Sequence, residues 1–260
     1  MADEVIQSRV DGDIAEIVIS RQENLNALNV DVIQSLLLVL EKLQKETPVK
    51  CAVITGAGDK AFVAGADIAL LQQLGKRPAA DYIEHGQRLM RAIETASFPV
   101  LAAVNGYALG GGLELALACD IILASQSAQF GAPEVNLSII PGFGGTQRLI
   151  QRCGIGAARR LILTGDMIDA HEAKAIGLAD VVAPEGSLQE TSWKMAQNIA
   201  SKGPIAIREA KRLLRSSQEQ LLLSGLQLEV EAFLKTFDTA DREEGMLAFM
   251  QKRKPKFVGK

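Results

Sequence analysis

A chain of 260 residues, 48% hydrophobic and 23% charged, with a formal net charge of −3, has the composition of an ordinary globular protein of one large or two small domains. Its slight acidity, pI near 5.6, speaks against wholesale binding to nucleic acid or to anionic membranes. No run approaches the roughly 18 apolar residues that span a bilayer, and MADEVIQSRV has neither an apolar h-region nor transit-peptide character, so the chain is expected to be cytoplasmic, or a mature form whose targeting segment is absent.

In chain order, EVIQSRV and IAEIVIS are two runs rich in β-branched residues joined by Asp-Gly-Asp, which predicts a hairpin. Asn29 then offers an N-cap to VDVIQSLLLVLEKLQKE, an amphipathic helix that ends before Pro48. KCAVITG reads as a short buried strand, and AGDKAFVAGADI, small and glycine-rich, as a loop. A helix is predicted from Ala79 to Ala96, a strand over PVLAAVNG from Pro99, a helix from about Gly111 to Ala118, and a strand over DIILAS. Strand pairs alternate with helices to about Val182, which points to an α/β architecture with helices packed outside sheets. Beyond it only helical patterns appear, from Ser187 to Gln251 with a break at Gly203-Pro204. The division expected is a catalytic core over 1–186 and a helical section over 187–260.

Cys51, Cys119 and Cys153 lie far apart without metal-ligand spacing and read as buried reduced thiols. His85 and His171 sit in charged segments of helical pattern, and no G-x-S-x-G elbow occurs. Ser/His hydrolysis therefore has little to stand on, and no metal is expected. If the chain is an enzyme, carboxylates and backbone groups do the work.

The segment ALGGGLELALACD, residues 108–120, opens a helix with three glycines, each costing about 1 kcal/mol relative to alanine in a helix interior. Neither G-x-G-x-x-G nor G-x-x-x-x-G-K-[ST] is met here or in TGAGDK, which argues against a nucleotide-phosphate cradle. An oxyanion site fits better. N–H groups at a helix start have no intrahelical acceptor and lie at the positive end of the dipole, and at Gly111 a missing Cβ lets an oxygen approach. The small-residue loop VAGAD, residues 63–67, follows a neighbouring strand and could supply a second N–H. Glu114, less than one turn past Gly111, is either a first-turn acid favoured by the dipole or a catalytic group. Glu134, after Pro133 among Phe130, Val135 and Leu137, is either an acid at a helix start or a desolvated carboxyl suited to acid/base work.

Taken together these segments resemble the enoyl-CoA hydratase, or crotonase, family over nearly the whole chain. The residues that carry the resemblance are Asn26-Ala27-Leu28, Ala61 to Ile68, Ala103 to Gly112 with Glu114, Cys119-Asp120, Phe130-Gly131 with Pro133-Glu134, Pro141-Gly142, Gly144 to Leu149, Leu163-Thr164-Gly165, Arg242 to Met246 and Lys252-Arg253-Lys254. The resemblance implies a crotonase-like right-handed spiral of β-β-α units, with C-terminal helices that assemble homotrimers, commonly paired as homohexamers. It implies an oxyanion hole from the N–H groups of Ala66 and Gly111 on an acyl-CoA thioester. Substrate contacts would come from Leu25, Ala27, Ala64, Ala66, Asp67, Ile68, Gly110, Gly111, Pro133 and Gly142, and an acyl pocket from Gln72 to Arg91.

Family members that hydrate use two glutamates, and both positions, Glu114 and Glu134, are glutamate here. The resemblance thus implies a short-to-medium-chain 2-enoyl-CoA hydratase of fatty-acid β-oxidation, with no cofactor beyond the coenzyme A of its substrate. An isomerase that shifts a 3-enoyl double bond through Glu134 is the nearest alternative. An RNA-binding relative is another, opposed by the charge and the lack of interleaved basic and aromatic residues. Two departures stand out: Arg21-Gln22 where relatives have Arg-Pro, and Ala69 where many have lysine, which puts a lysine contact to coenzyme A there in doubt. The tail KRKPKFVGK is either phosphate-binding charge or a solvated end.

Overall fold

β1 (Ile6–Asp11) and β2 (Ile14–Ile19) form the expected hairpin, pairing antiparallel around Gly12 at φ +59°. In the computed structural model, which describes residues 5–46 and 49–256, Asn29 Oδ1 accepts the Val32 N–H at 2.9 Å and so caps α1 (Val30–Glu46), as a short polar side chain ahead of an amphipathic run should. β3 (Cys51–Gly56) returns parallel to β2.

From β3 onward the chain coils. Each turn lays one strand in a first sheet, the next in a second sheet, and then a helix outside them. β3 and β4 (Ala61–Val63) precede α2 (Ile68–Gln73) and α3 (Lys76–Glu94). β5 (Val100–Val104) and β6 (Tyr107–Leu109) precede α4 (Gly111–Ala118), while β7 (Ile121–Ala124) and β8 (Gln129–Gly131) precede α5 (Gly145–Thr164). β9 (Met167–Asp169), α6 (Ala170–Ala175) and β10 (Val181–Val182) complete the two sheets, ordered β1-β2-β3-β5-β7-β10 and β4-β6-β8-β9. All neighbours are parallel except β1 with β2 and β8 with β9. This is the α/β spiral of β-β-α units that the resemblance implies.

Side-chain alternation sorts the faces of the first sheet. Ala52, Ile54, Ala102, Val104 and Ile122 join the main core with Ile33, Leu36, Leu89 and Ile93 of α1 and α3. Cys51, Val53, Leu101, Ala103 and Leu123 point the other way, to a smaller core closed by Ala196 of α7 (Leu188–Ala200). Burying each such leucine or isoleucine contributes about 1.5 to 3 kcal/mol.

The structure departs from the sequence expectation in AGDKAFVAGADI, which is more than a loop. Its buried AFV forms β4, paired parallel with β6; three residues are too few to show a period of two. In the helical section, Gly203 ends the α7 connection and α8 (Pro204–Phe237) follows, then α9 (Ala240–Met250), started by Thr239 Oγ1 accepting the Arg242 N–H at 3.1 Å. Buried Lys211 fastens α8 to the core, donating to the carbonyls of Ile93 and Phe98 at 3.1 and 3.0 Å and to Asp120 at 2.7 Å. Among the described residues no helix is long and apolar enough to cross a membrane.

Candidate active site

β4 and β6 are neighbours in the second sheet, so the segments leaving them emerge side by side. α4 starts directly after β6, with Gly110 at φ +50°, ψ −120°, a conformation open in practice only to glycine. A Cβ at Gly112 would lie 1.9 Å from the Val63 carbonyl oxygen, so that glycine lets the helix start rest on β4. Gly111 leads α4, and its N–H has no intrahelical acceptor. In the segment after β4, the Leu28 N–H donates to the Gly65 carbonyl and the Asp67 N–H to the Leu28 carbonyl, both at 2.9 Å. Ala66 lies between them, in a parallel bridge to Leu28, and its own N–H donates to no described residue.

The two glutamates share a cavity of about 370 Å³ with Ala66 and Gly111, yet they are held differently. Glu114, on the first turn of α4 and 2% exposed, accepts the N–H groups of Phe143 and Gly145 on Oε1 at 2.8 and 2.7 Å. Burial, then the negative charges of Glu229 and Glu134, push its carboxyl well above the usual range, while the two N–H donors pull it back. Glu134 sits on a 3-10 turn, Pro133–Leu137. Its Oε2 is buried with no hydrogen-bond partner among the described residues. Burial raises its pKa to about 7; its own backbone N–H opposes the rise, and the charge of Glu229 adds to it. A Cβ at Gly110 would lie 2.8 Å from Glu134 Oε1, so that glycine also makes room for the carboxyl.

Leu25, Ala64, Ala66, Ile68, Gly110, Gly111, Pro133 and Gly142 line the same cavity. Ala27 and Asp67 do not. Ala27 is buried behind the wall, its carbonyl taking Arg21 Nη1 at 2.8 Å. Asp67 caps α2 through the Leu70 N–H and pairs with Arg21 at 3.1 Å. Both serve the loop that presents Ala66. Ala69 is exposed on α2 and brings no cation there. Of the tail 252–260, residues 257–260 lie outside the described residues, and Arg253 is paired with Glu244 at 2.6 Å. Among the described residues no group of three or more His, Cys, Asp or Glu is placed to hold a metal ion.

The profile of the enoyl-CoA hydratase/isomerase family matches residues 9–260. The chain belongs to the enoyl-CoA hydratase/isomerase family. A crotonyl-CoA hydratase of Syntrophomonas wolfei is 44% identical over 248 residues, covering 95% of each chain. A short-chain-enoyl-CoA hydratase of Clostridium acetobutylicum is 41% identical over 244 residues, covering 94% of each. The crystal structure of an enoyl-CoA hydratase from Bacillus anthracis matches with a TM-score of 0.81 at 39% identity, over 98% of this chain and 100% of that one.

This enoyl-CoA hydratase/isomerase family member also uses residues that pattern reading passes over. From the expected acyl-pocket segment, Tyr82 and Ile83 reach the cavity, but Phe143, Phe233 and Phe249 complete its apolar wall from α5's approach, α8 and α9. Tyr82 additionally donates to the Leu28 carbonyl at 2.8 Å, next to the Ala66 loop. Glu229 of α8, 3% exposed, approaches the back of Glu114's loop. A charged residue in a long helix of mixed polar and apolar residues carries no local mark of burial, so only the folded chain reveals it.

Proposed function

We propose that this enzyme, a hydro-lyase, adds water syn across the double bond of a trans-2-enoyl-CoA to give the 3-hydroxyacyl-CoA, with Glu114 as base and Glu134 as acid. The observation that carries this is one apolar cavity lined by Ala66 and Gly111, whose N–H groups have no acceptor among the described residues, and by two unlike carboxyls.

The Ala66 and Gly111 N–H groups hold the thioester oxygen. They draw electron density from the conjugated double bond, which makes C3 electrophilic, and they hold the enolate that follows. Each such donor contributes about 3 to 4 kcal/mol in comparable oxyanion holes. Water gives one proton to Glu114 as its oxygen bonds to C3, and Glu134 delivers a proton to C2. Two donors favour the charged form of Glu114. Glu134 has a buried oxygen without a donor, which costs least when the group is neutral. Burial raises both carboxyls, and the assignment of base and acid follows the unequal supply of donors to their charged forms. The reaction requires no metal and no redox cofactor.

Exposed apolar side chains on α5, β9 and α9, namely Ile155, Leu163, Met167 and Phe249, support assembly of the chain into trimers or hexamers. The names of the two relatives point to short acyl chains.

Incubation with crotonyl-CoA in 18O-labelled water tests the reaction. Loss of the conjugated chromophore with one labelled oxygen in the product is expected. Conversion of a 3-enoyl thioester to its 2-enoyl isomer, without labelled oxygen and without hydration of crotonyl-CoA, overturns it in favour of the isomerase.

A further inference from the structure

The turn Phe143–Thr146 leads into α5, and its four successive N–H groups go alternately to two carboxylates. Those of Phe143 and Gly145 are taken by Glu114 Oε1 at 2.8 and 2.7 Å. Those of Gly144 and Thr146 are taken by Glu229 Oε1 and Oε2 at 2.6 and 3.2 Å, and the Thr146 hydroxyl adds a third donor to Glu229 Oε2 at 2.5 Å. Gly144 stands at φ +105°, and a Cβ there would lie 1.9 Å from Arg148 Nη1, so the alternation depends on a glycine conformation. Successive N–H groups turned to opposite sides of one short loop make two concavities for anions, and here both are filled by the protein itself.

We propose that Glu229 is a positioning residue for hydration: from α8 it holds the Phe143–Thr146 turn in the conformation that presents the Phe143 and Gly145 N–H groups to Glu114. Glu229 receives only donors, the pattern an ionised carboxylate accepts; burial raises its pKa, and the Thr146 and Gly144 donors and the charge of Arg148 oppose that rise. The groups around it are Thr146, Gln87 of α3 at 3.5 Å, Arg148 of α5, Glu114 of α4 and Glu134 on its 3-10 turn. Arg148 is itself tied to Glu94 at 2.7 Å and to the Phe143 carbonyl at 2.7 Å, which fixes the other side of the turn. Glu229 follows Lys211 by about 27 Å along α8 at the ordinary helical rise, so the helix is fastened to the core at two buried charged points. The second of these reaches the catalytic carboxylate through a single turn of backbone. The negative charge of Glu229 also opposes ionisation of Glu114. Removing it without changing shape therefore lowers the Glu114 pKa.

The inference rests on Glu114 as the base, and Glu114→Gln run in parallel separates the two: activity kept in that variant sinks the base assignment, whatever Glu229 does. Given an inactive Glu114→Gln, the decisive variant is Glu229→Gln, assayed on crotonyl-CoA over a range of pH with the folded fraction measured by circular dichroism. Expected are a kcat lowered roughly 10-fold with KM changed less than about 3-fold, as a small misplacement of a catalytic group gives. The acid limb of kcat/KM should also move to lower pH. Thr146→Ala removes one donor to Glu229 and leaves the backbone intact. It should lower kcat by roughly 2- to 5-fold while Glu229 keeps its charge and the acid limb keeps its place, and its kcat decides the matter if Glu229→Gln does not fold. Wild-type kcat and an unmoved acid limb per folded molecule overturn the inference and leave Glu229 a purely structural anchor.

Discussion

Glu114 and Glu134 enter one cavity from two regions that treat a carboxyl in opposite ways. The start of α4 places Glu114 where two backbone N–H groups meet one of its oxygens. The 3-10 turn at Pro133 delivers Glu134 with Oε2 buried and without a hydrogen-bond partner among the described residues. The difference shows that residue type alone does not assign an acid and a base. Donor supply does: burial raises both groups, and two backbone N–H donors oppose that rise at Glu114 against one, its own backbone N–H, at Glu134.

Exchanging each glutamate for glutamine is the strongest way to break that comparison. Glu114→Gln and Glu134→Gln should each lower kcat for crotonyl-CoA hydration by roughly 10²- to 10⁴-fold, the range for loss of a positioned acid or base. The pH profiles should then differ. A base must be ionised, so activity fails as pH falls and Glu114 takes up a proton; an acid must be protonated, so activity fails as pH rises past about 7, where Glu134 loses its proton. The residual activity of Glu134→Gln should thus keep the acid limb of kcat/KM and lose the alkaline one, and Glu114→Gln the reverse. Since the two groups interact, the wild-type limbs belong to the pair. Identical profiles for both variants would show that the two regions are equivalent.

A milder perturbation separates the conformation of the proposed oxyanion loop from the carboxyls. Gly110→Ala places a Cβ where φ is +50° and where Glu134 Oε1 would lie 2.8 Å away. A non-glycine residue in such a conformation costs about 1 to 3 kcal/mol. Either the loop or Glu134 must shift, and kcat should fall by roughly 10²-fold, the usual effect of displacing reacting groups by an ångström. An unchanged kcat, measured with the melting temperature, would mean that Gly110 serves folding only.

Much of this site was legible in the sequence, for physical reasons that differ from place to place. Hairpin, α1 and the C-terminal helices stand out because their periods run long enough to count, and Asn29 announces its cap. Glu134 is conspicuous because a carboxylate among Phe130, Pro133 and Leu137 is chemically odd. By contrast β4, β6 and β8 have three residues each, too short for any period, and the sequence around β4 reads as loop. Asp67 reads as a substrate contact, and its pairing with Arg21, 46 residues away in the chain, is not visible in the sequence. Glu229 and Tyr82 act through partners distant in sequence, and nothing local marks the carbonyl or N–H each will meet.

The smallest expected effect concerns Tyr82, which supports the Ala66 loop from α3. Its hydroxyl donates to the Leu28 carbonyl at 2.8 Å, and the Asp67 N–H donates to the same oxygen at 2.9 Å. Tyr82→Phe removes one donor and leaves the carbonyl satisfied by the other, so no buried acceptor is orphaned. The cost in stability should be near the ordinary net value of a hydrogen bond, about 1 kcal/mol, seen as a lower urea midpoint at unchanged slope. Because the backbone bridge of Leu28 to Ala66 persists, kcat should drop by no more than roughly 3-fold, about 0.6 kcal/mol of transition-state stabilisation. A loss of kcat on the scale of Gly110→Ala would instead mean that the loop carrying Ala66 is held from α3 and that its backbone bridge alone cannot keep the N–H in place.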